Sequence, residues 1–375
     1  MTANLLFSIS AWLCFVCLAG MLVGAVSNFV TYRAAGAGGG SFGFRMERGT
    51  SLLVGLTCAI AFAAVVQKGF EVNHFPSQTM QETVLFFCAL TLIMVFALRW
   101  VLRLHLESSV ECGVWQLVVG LSAAGIGASM LHALSLSSAA RDLPPALDSY
   151  WFAPHITCLL VSYGTLGIAA IFGVVYFAMS VARGKRFPHY SKRRTTVIVA
   201  MMLLVPFLHA VTVPILLVCL AIGRLNGLHL QERAWIDTWG RRAEELGFRI
   251  FSVGFPFLTA GLMQGAYWAQ EAWANYWGWD SKEVTALISW FIYIAYFHLR
   301  YVAGLRGDRS MGVLASGAAS VFLTFQLFGY LPDSMKSMHR YTDPTIAAQE
   351  GQQGLSEDRF ISDEAPAEPI ARGGQ

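Results

Sequence analysis

Long apolar runs recur from one end of this chain almost to the other, and they decide what it can fold into. They are Leu5–Val30, Ser51–Val66, Thr83–Val101, Gly113–Ser135, His155–Ala182, Ile250–Tyr267, Val284–Tyr301 and Gly312–Tyr330. A helix that crosses a bilayer needs about 20 such residues, and backbone in hydrocarbon must satisfy its own hydrogen bonds. The expected fold is therefore all-α: a multi-pass integral membrane helical bundle with about eight spanning helices, one for each run. Composition agrees. The chain is 55% hydrophobic and 13% charged, about half the charge of a soluble domain.

A further apolar run, Thr195–Gly223, is broken by Pro206 and Pro214. A full crossing there would put one of two Arg-rich flanks, 185–194 or 224–249, on the wrong side, so a re-entrant or surface-lying hairpin is expected. Elsewhere the basic residues orient the bundle. Arg33, Arg45 and Arg48 follow the first run, Arg99 and Arg103 the third, the Arg183–Arg194 cluster the fifth, and Arg300, Arg306 and Arg309 the seventh. These segments are expected on the cytoplasmic side. The segments around His74, 141–154 and 268–283 then face outward. Residues 1–341 are read as one membrane domain and 342–375, polar and mildly acidic, as a disordered tail.

Several function classes drop out. No basic stripe or binding module points to nucleic acid. No Walker loop, dinucleotide fingerprint or HExxH is present. The seven cysteines lie in or beside apolar runs, and the Cys14/Cys17 pair has no following His, so they are read as packing residues.

Chemistry concentrates in 268–283, WAQEAWANYWGWDSKE. Trp268, Trp273, Trp277, Trp279 and Tyr276 crowd one short segment beside Asp280, Lys282 and Glu283. An interfacial belt would instead spread its aromatics over several helix ends. The crowding suits a large flat apolar ligand that carries carboxylates, with rings stacked on its faces and Lys282 or a backbone N–H on its acids. A porphyrin answers that description. His155 opens the fifth run and His339 follows the last, both on the expected outward side, while His298 lies inside the run after the aromatic segment. Two imidazoles on opposite faces of a plane are a common way to hold haem iron. His74, in NHFPSQTMQE, is a weaker candidate.

These residues carry a resemblance. The run Trp268-Ala269, Trp273, Tyr276-Trp277, Trp279-Asp280, Lys282-Glu283, with Tyr296-Phe297-His298-Leu299-Arg300 after it, resembles the Trp-rich signature of the haem-handling proteins of cytochrome c maturation, and most of all the CcsA (ResC) family. Gly254–Ala269 is similar to the family's lead-in helix. His155 and His339 match its two outward histidines, His298 its histidine within the membrane, and His74-Phe75-Pro76 with Glu82 a further motif. Ser281 stands where the family usually has Pro, and Ala274 where it usually has Gly. Met338 and Arg340 differ around His339.

The resemblance implies a subunit of a cytochrome c synthetase, or haem lyase, that carries haem b outward as a substrate. His155, His339 and His298 would be iron ligands, and Trp268, Trp273, Tyr276, Trp277, Trp279, Asp280 and Lys282 would surround the ring. Implied partners are a membrane protein of the CcsB/ResB type, a thiol-reducing system and an apocytochrome c with a Cys-x-x-Cys-His segment. The implied location is the bacterial cytoplasmic membrane. Two other readings stay open: a haem-delivery protein of the other maturation system, and a small-solute transporter, which would want repeats and broken helices.

Overall fold

The structure, a computed structural model, describes residues 2–35, 41–101, 109–136, 145–182 and 230–324. Every regular element among them is helical. The chain forms α1 (Ala3–Ala35), α2 (Ser41–Val72), α3 (Met80–Val101), α4 (Ser109–Leu134), a 3-10 turn (Pro145–Leu147), α5 (Phe152–Ala182), α6 (Leu230–Trp273), α7 (Ser281–Phe297), a π-helical turn (His298–Val302) and α8 (Asp308–Phe322).

Six of the expected spans, α1 to α6, are individually long and apolar enough to cross a membrane. The seventh is the rod of α7 and the π turn, Ser281 to Val302. The eighth corresponds to α8 and is described only as far as Thr324. The expected hairpin at 195–223, His339 and the tail lie outside the described residues.

Two expected loops prove helical. Arg45 and Arg48 sit in the first turns of α2, and Arg241, Arg242 and Arg249 lie along α6. Charged residues are good helix formers, so the helices run on past the apolar layer that hydropathy detects.

The bundle has two lobes joined by α3. In the first, α1 packs on α2 and α4; in the second, α5 packs on α6 along most of its length, with α7 and α8 alongside. Helices close enough to touch backbone to backbone need small residues at the seam. On α6 these are Gly247, Gly254 and Gly261, seven residues apart, facing Ala169, Thr165 with Leu166, and Leu159 of α5. The pairing is antiparallel and brings the start of α5 beside the end of α6.

Polar pins fix the first lobe. Asn28 Nδ2 donates to Gln116 Oε1 at 2.9 Å, and Gln116 Nε2 to the Gly43 carbonyl at 3.1 Å. Cys14, Cys17, Cys58, Cys88 and Cys112 are buried free thiols, as expected of packing residues.

These contacts define two ends. One gathers the loop 73–79, the 3-10 turn, the start of α5 and the aromatic segment. The other gathers the arginine-bearing starts of α2 and α6, the end of α3, the π turn and the start of α8.

Candidate functional site at the aromatic end

His155 stands in the first turn of α5 and is buried, with 8% of its surface exposed. Its ring lies in a slot on α6. Nδ1 is 2.7 Å from the Gly261 carbonyl oxygen. A carbonyl only accepts, so Nδ1 carries the proton and the neutral ring's lone pair sits on Nε2. One face of the ring stacks on Trp268, centroids 5.6 Å apart and planes 24° apart. Gly265 leaves room for the ring: a β-carbon there would meet His155 Cε1 at 2.6 Å. Tautomer and orientation are thus both imposed by α6.

Trp268 is buried and donates from Nε1 to the Ala146 carbonyl at 2.7 Å. Phe152 and Trp273 pack on it at 5.4 and 4.9 Å, and Phe75 joins from the loop before α3. This inner group supports the histidine. An outer group is exposed: Tyr276 and Trp279 have 55% and 73% of their surface open, and Tyr276 meets Tyr267 edge to face at 6.3 Å. Trp277 and Trp279 meet edge to face at 6.1 Å. Aromatic side chains in such numbers on an open surface offer stacking faces to a flat apolar body.

The turn that carries them is built by its carboxylates. Asp280 is the N-cap of α7 and accepts from Lys282 N at 2.8 Å. Glu283 Oε2 reaches back to Asp280 N at 3.2 Å and Gly278 N at 2.9 Å. This capping box means that Asp280 and Glu283 hold the loop in shape. Two residues of the turn are left-handed, Ala274 at φ 55° and Trp279 at φ 57°. A non-glycine residue in that region signals local strain, which gathers at binding sites.

His298 lies elsewhere. The seventeen residues of α7 separate it from the aromatic segment, about 25 Å at 1.5 Å per residue. It is exposed and opens the π turn, with Nδ1 3.0 Å from the Ile294 carbonyl oxygen. Its lone pair is again on Nε2. Two residues on, Arg300 is buried, lies over the Phe248 ring at 5.0 Å and pairs with Glu244 of α6. Glu244 also accepts from Gly307 N at 2.8 Å. Irregular π turns inside helices frequently sit at functional positions.

The structure therefore joins His155 to Trp268 and Trp273, seats Tyr276, Trp277, Trp279, Asp280 and Lys282 in the adjoining loop, and keeps His298 apart. His74 sits in the loop whose Phe75 backs the inner group, with Nδ1 2.9 Å from the Phe75 carbonyl oxygen. Sequence reading missed Gly261, Gly265, Glu244 and the π turn. The glycine spacing on α6 was the available signal for the first two.

An α-helical membrane bundle with an oriented histidine beside a Trp-rich loop is the class that fold and site define. The profile of the family described as Cytochrome C assembly protein matches residues 4–335, and the chain belongs to that family. Similar proteins include the cytochrome c biogenesis protein CcsA of Gloeobacter violaceus, 28% identical over 283 residues, covering 71% of this chain and 79% of the relative. The protein of that name from Synechococcus sp. (strain WH7803) is 29% identical over 287 residues, 75% and 82% of the two chains. That from Guillardia theta is 26% identical over 301 residues, 80% and 86%.

Proposed function

We propose that this chain, whose family gives it a role in cytochrome c biogenesis, binds haem as its substrate and presents it at the aromatic end for covalent attachment to an apocytochrome c. The observation that carries this reading is the fixing of His155. An imidazole that donates from Nδ1 to a backbone carbonyl directs an Nε2 lone pair, which is how proteins prepare a metal ligand.

In this reading His155 meets the iron from one side and His339 from the other. Trp273, Tyr276, Trp277 and Trp279 cover the ring, Lys282 meets its carboxylates, and Trp268 keeps His155 in place. His298, at the far end, is one ligand of an earlier membrane site whose second ligand comes from a CcsB/ResB-type partner. The aromatic end faces outward from the bacterial cytoplasmic membrane, and the arginine-rich end faces the cytoplasm.

The apocytochrome brings a Cys-x-x-Cys-His segment with its cysteines kept reduced. Each thiol adds across a vinyl group of the porphyrin, sulfur to one carbon and hydrogen to the other. The chain supplies position, and the addition belongs to the porphyrin and the thiols. This makes it a subunit of a cytochrome c synthetase.

The test is the visible spectrum of the full chain purified in mild detergent, alone and with a CcsB-type partner. A Soret band with split reduced bands is expected, and His155→Ala should lower the haem content or open the iron to added imidazole. A folded protein without haem in both preparations would defeat the reading. So would maturation of an apocytochrome that lacks its cysteine pair.

A further inference from the structure

Far from the aromatic end, α2, α3 and α4 enclose a cleft of about 370 Å³. Its polar residues are Arg48, Ser51 and Arg99, and its apolar walls include Phe96, Trp100 and Trp115. The order along all three helices is the same. Moving inward from the basic end, Arg48 and Ser51 give way to Val54 on α2, Arg99 to Val95 on α3, and Trp115 to Val119 on α4. The cleft is charged at its mouth and apolar in its depth. It opens sideways, where Leu52 and Trp100 are 76% and 69% exposed on helices long and apolar enough to span a membrane.

The mouth is built. Glu47, 2% exposed, pairs with Arg99 and accepts from Ser51 Oγ at 2.9 Å. Arg99 donates to Ser51 Oγ at 3.1 Å. Glu47 thus fixes the guanidinium on the wall and balances its charge, while Arg48 adds one more cation. Trp115 is 7% exposed, and its indole nitrogen has no hydrogen-bond partner among the described residues.

We propose that this cleft binds one acidic phospholipid, with its phosphate on Arg48 and Arg99 and the upper part of an acyl chain between Phe96, Trp100 and Trp115. The net charge at the mouth is one positive, and a phosphodiester carries one negative. An ethanolamine or choline head would bring an extra cation, and the nearest carboxylate, Glu47, is already committed to Arg99 and Ser51. A second cleft of about 420 Å³ between α1 and α2 repeats the pattern with Arg45 at its basic end. The two clefts lie on either side of α2.

Native mass spectrometry of the full chain, titrated with phosphatidylglycerol and separately with phosphatidylethanolamine, tests this. Wild type is expected to retain one phosphatidylglycerol in preference to phosphatidylethanolamine. Arg48→Gln should weaken retention about fivefold, the worth of one basic side chain at a membrane surface. Leu52→Trp, which keeps every charge but crowds the sideways opening, should weaken it as well. Equal retention of the two lipids by wild type would overturn the proposal, as would wild-type retention by both variants. Displacement of phosphatidylglycerol by haemin in wild type but not in Arg48→Gln would assign the cleft to a carboxylated porphyrin and overturn it too. None of these outcomes depends on haem binding at His155.

Discussion

Gly265 and His155 touch in a way that admits no side chain: a β-carbon on Gly265 would lie 2.6 Å from Cε1 and 2.8 Å from Nδ1 of the ring. The ring is held between that glycine's backbone and the Trp268 indole, so its position depends on α6 as much as on its own helix.

Gly265→Ala should therefore push the His155 ring out of its slot and break its bond to the Gly261 carbonyl. Haem affinity is expected to fall about 10–100-fold, the cost of losing a partner that orients a metal ligand, with the Soret band shifted. Gly240→Ala is the control, because nothing lies within 4 Å of the β-carbon it would add. A wild-type spectrum and haem content for Gly265→Ala would remove His155 from the ligand set.

Arg300 and Glu244 form a buried ion pair across 56 residues of chain. Arg300→Met strands the Glu244 carboxylate and should cost about 3–5 kcal/mol. Glu244→Gln combined with Arg300→Met should recover most of that loss. Thermal unfolding in detergent measures both. A single variant as stable as wild type would show that the pair does not anchor the π turn.

The two departures from the family pattern in the aromatic loop have structural consequences. Ala274 sits at φ 55° just past the end of α6, where glycine carries no β-carbon penalty. Ser281 is the first residue of α7 after the Asp280 cap, a position that favours proline. Ala274→Gly and Ser281→Pro should each stabilise the loop by about 0.5–1 kcal/mol. Slower proteolytic cleavage within 274–281 reports it, and faster cleavage in either variant contradicts the assignment.

Asp280→Ala removes the cap that fixes the turn and should cost about 1 kcal/mol. Cleavage of the loop should speed up, and haem retention should fall in proportion to the disorder of Trp277 and Trp279. Asp280→Asn, which can still cap, should lie close to wild type. If Asp280→Asn loses as much haem as Asp280→Ala, the carboxylate acts by its charge on the ligand and not through the cap.

Much of this was legible in the residues themselves. Runs such as Leu5–Val30 and Thr83–Val101 announce spanning helices because hydrocarbon admits little else. The Asp280–Glu283 spacing is a local capping signal at the head of α7. The crowding of Trp273, Trp277 and Trp279 into one short segment is likewise visible without any knowledge of the fold. The starts of α2 and α6 were less legible, because their Arg and Glu turns are helical for reasons hydropathy does not register.

Pairing was decided only in three dimensions. His155 and Trp268 are on different helices, and nothing local to either shows that they stack. Their meeting depends on Gly247, Gly254 and Gly261, which let α5 and α6 close to backbone contact in a single register. The same packing pairs Arg300 with Glu244 and puts His298 at the opposite end of α7 from the aromatic loop. Burial and capping act over a few residues and can be read along a chain. Which faces of two helices fit is a property of both surfaces together, and it exists only once they have met.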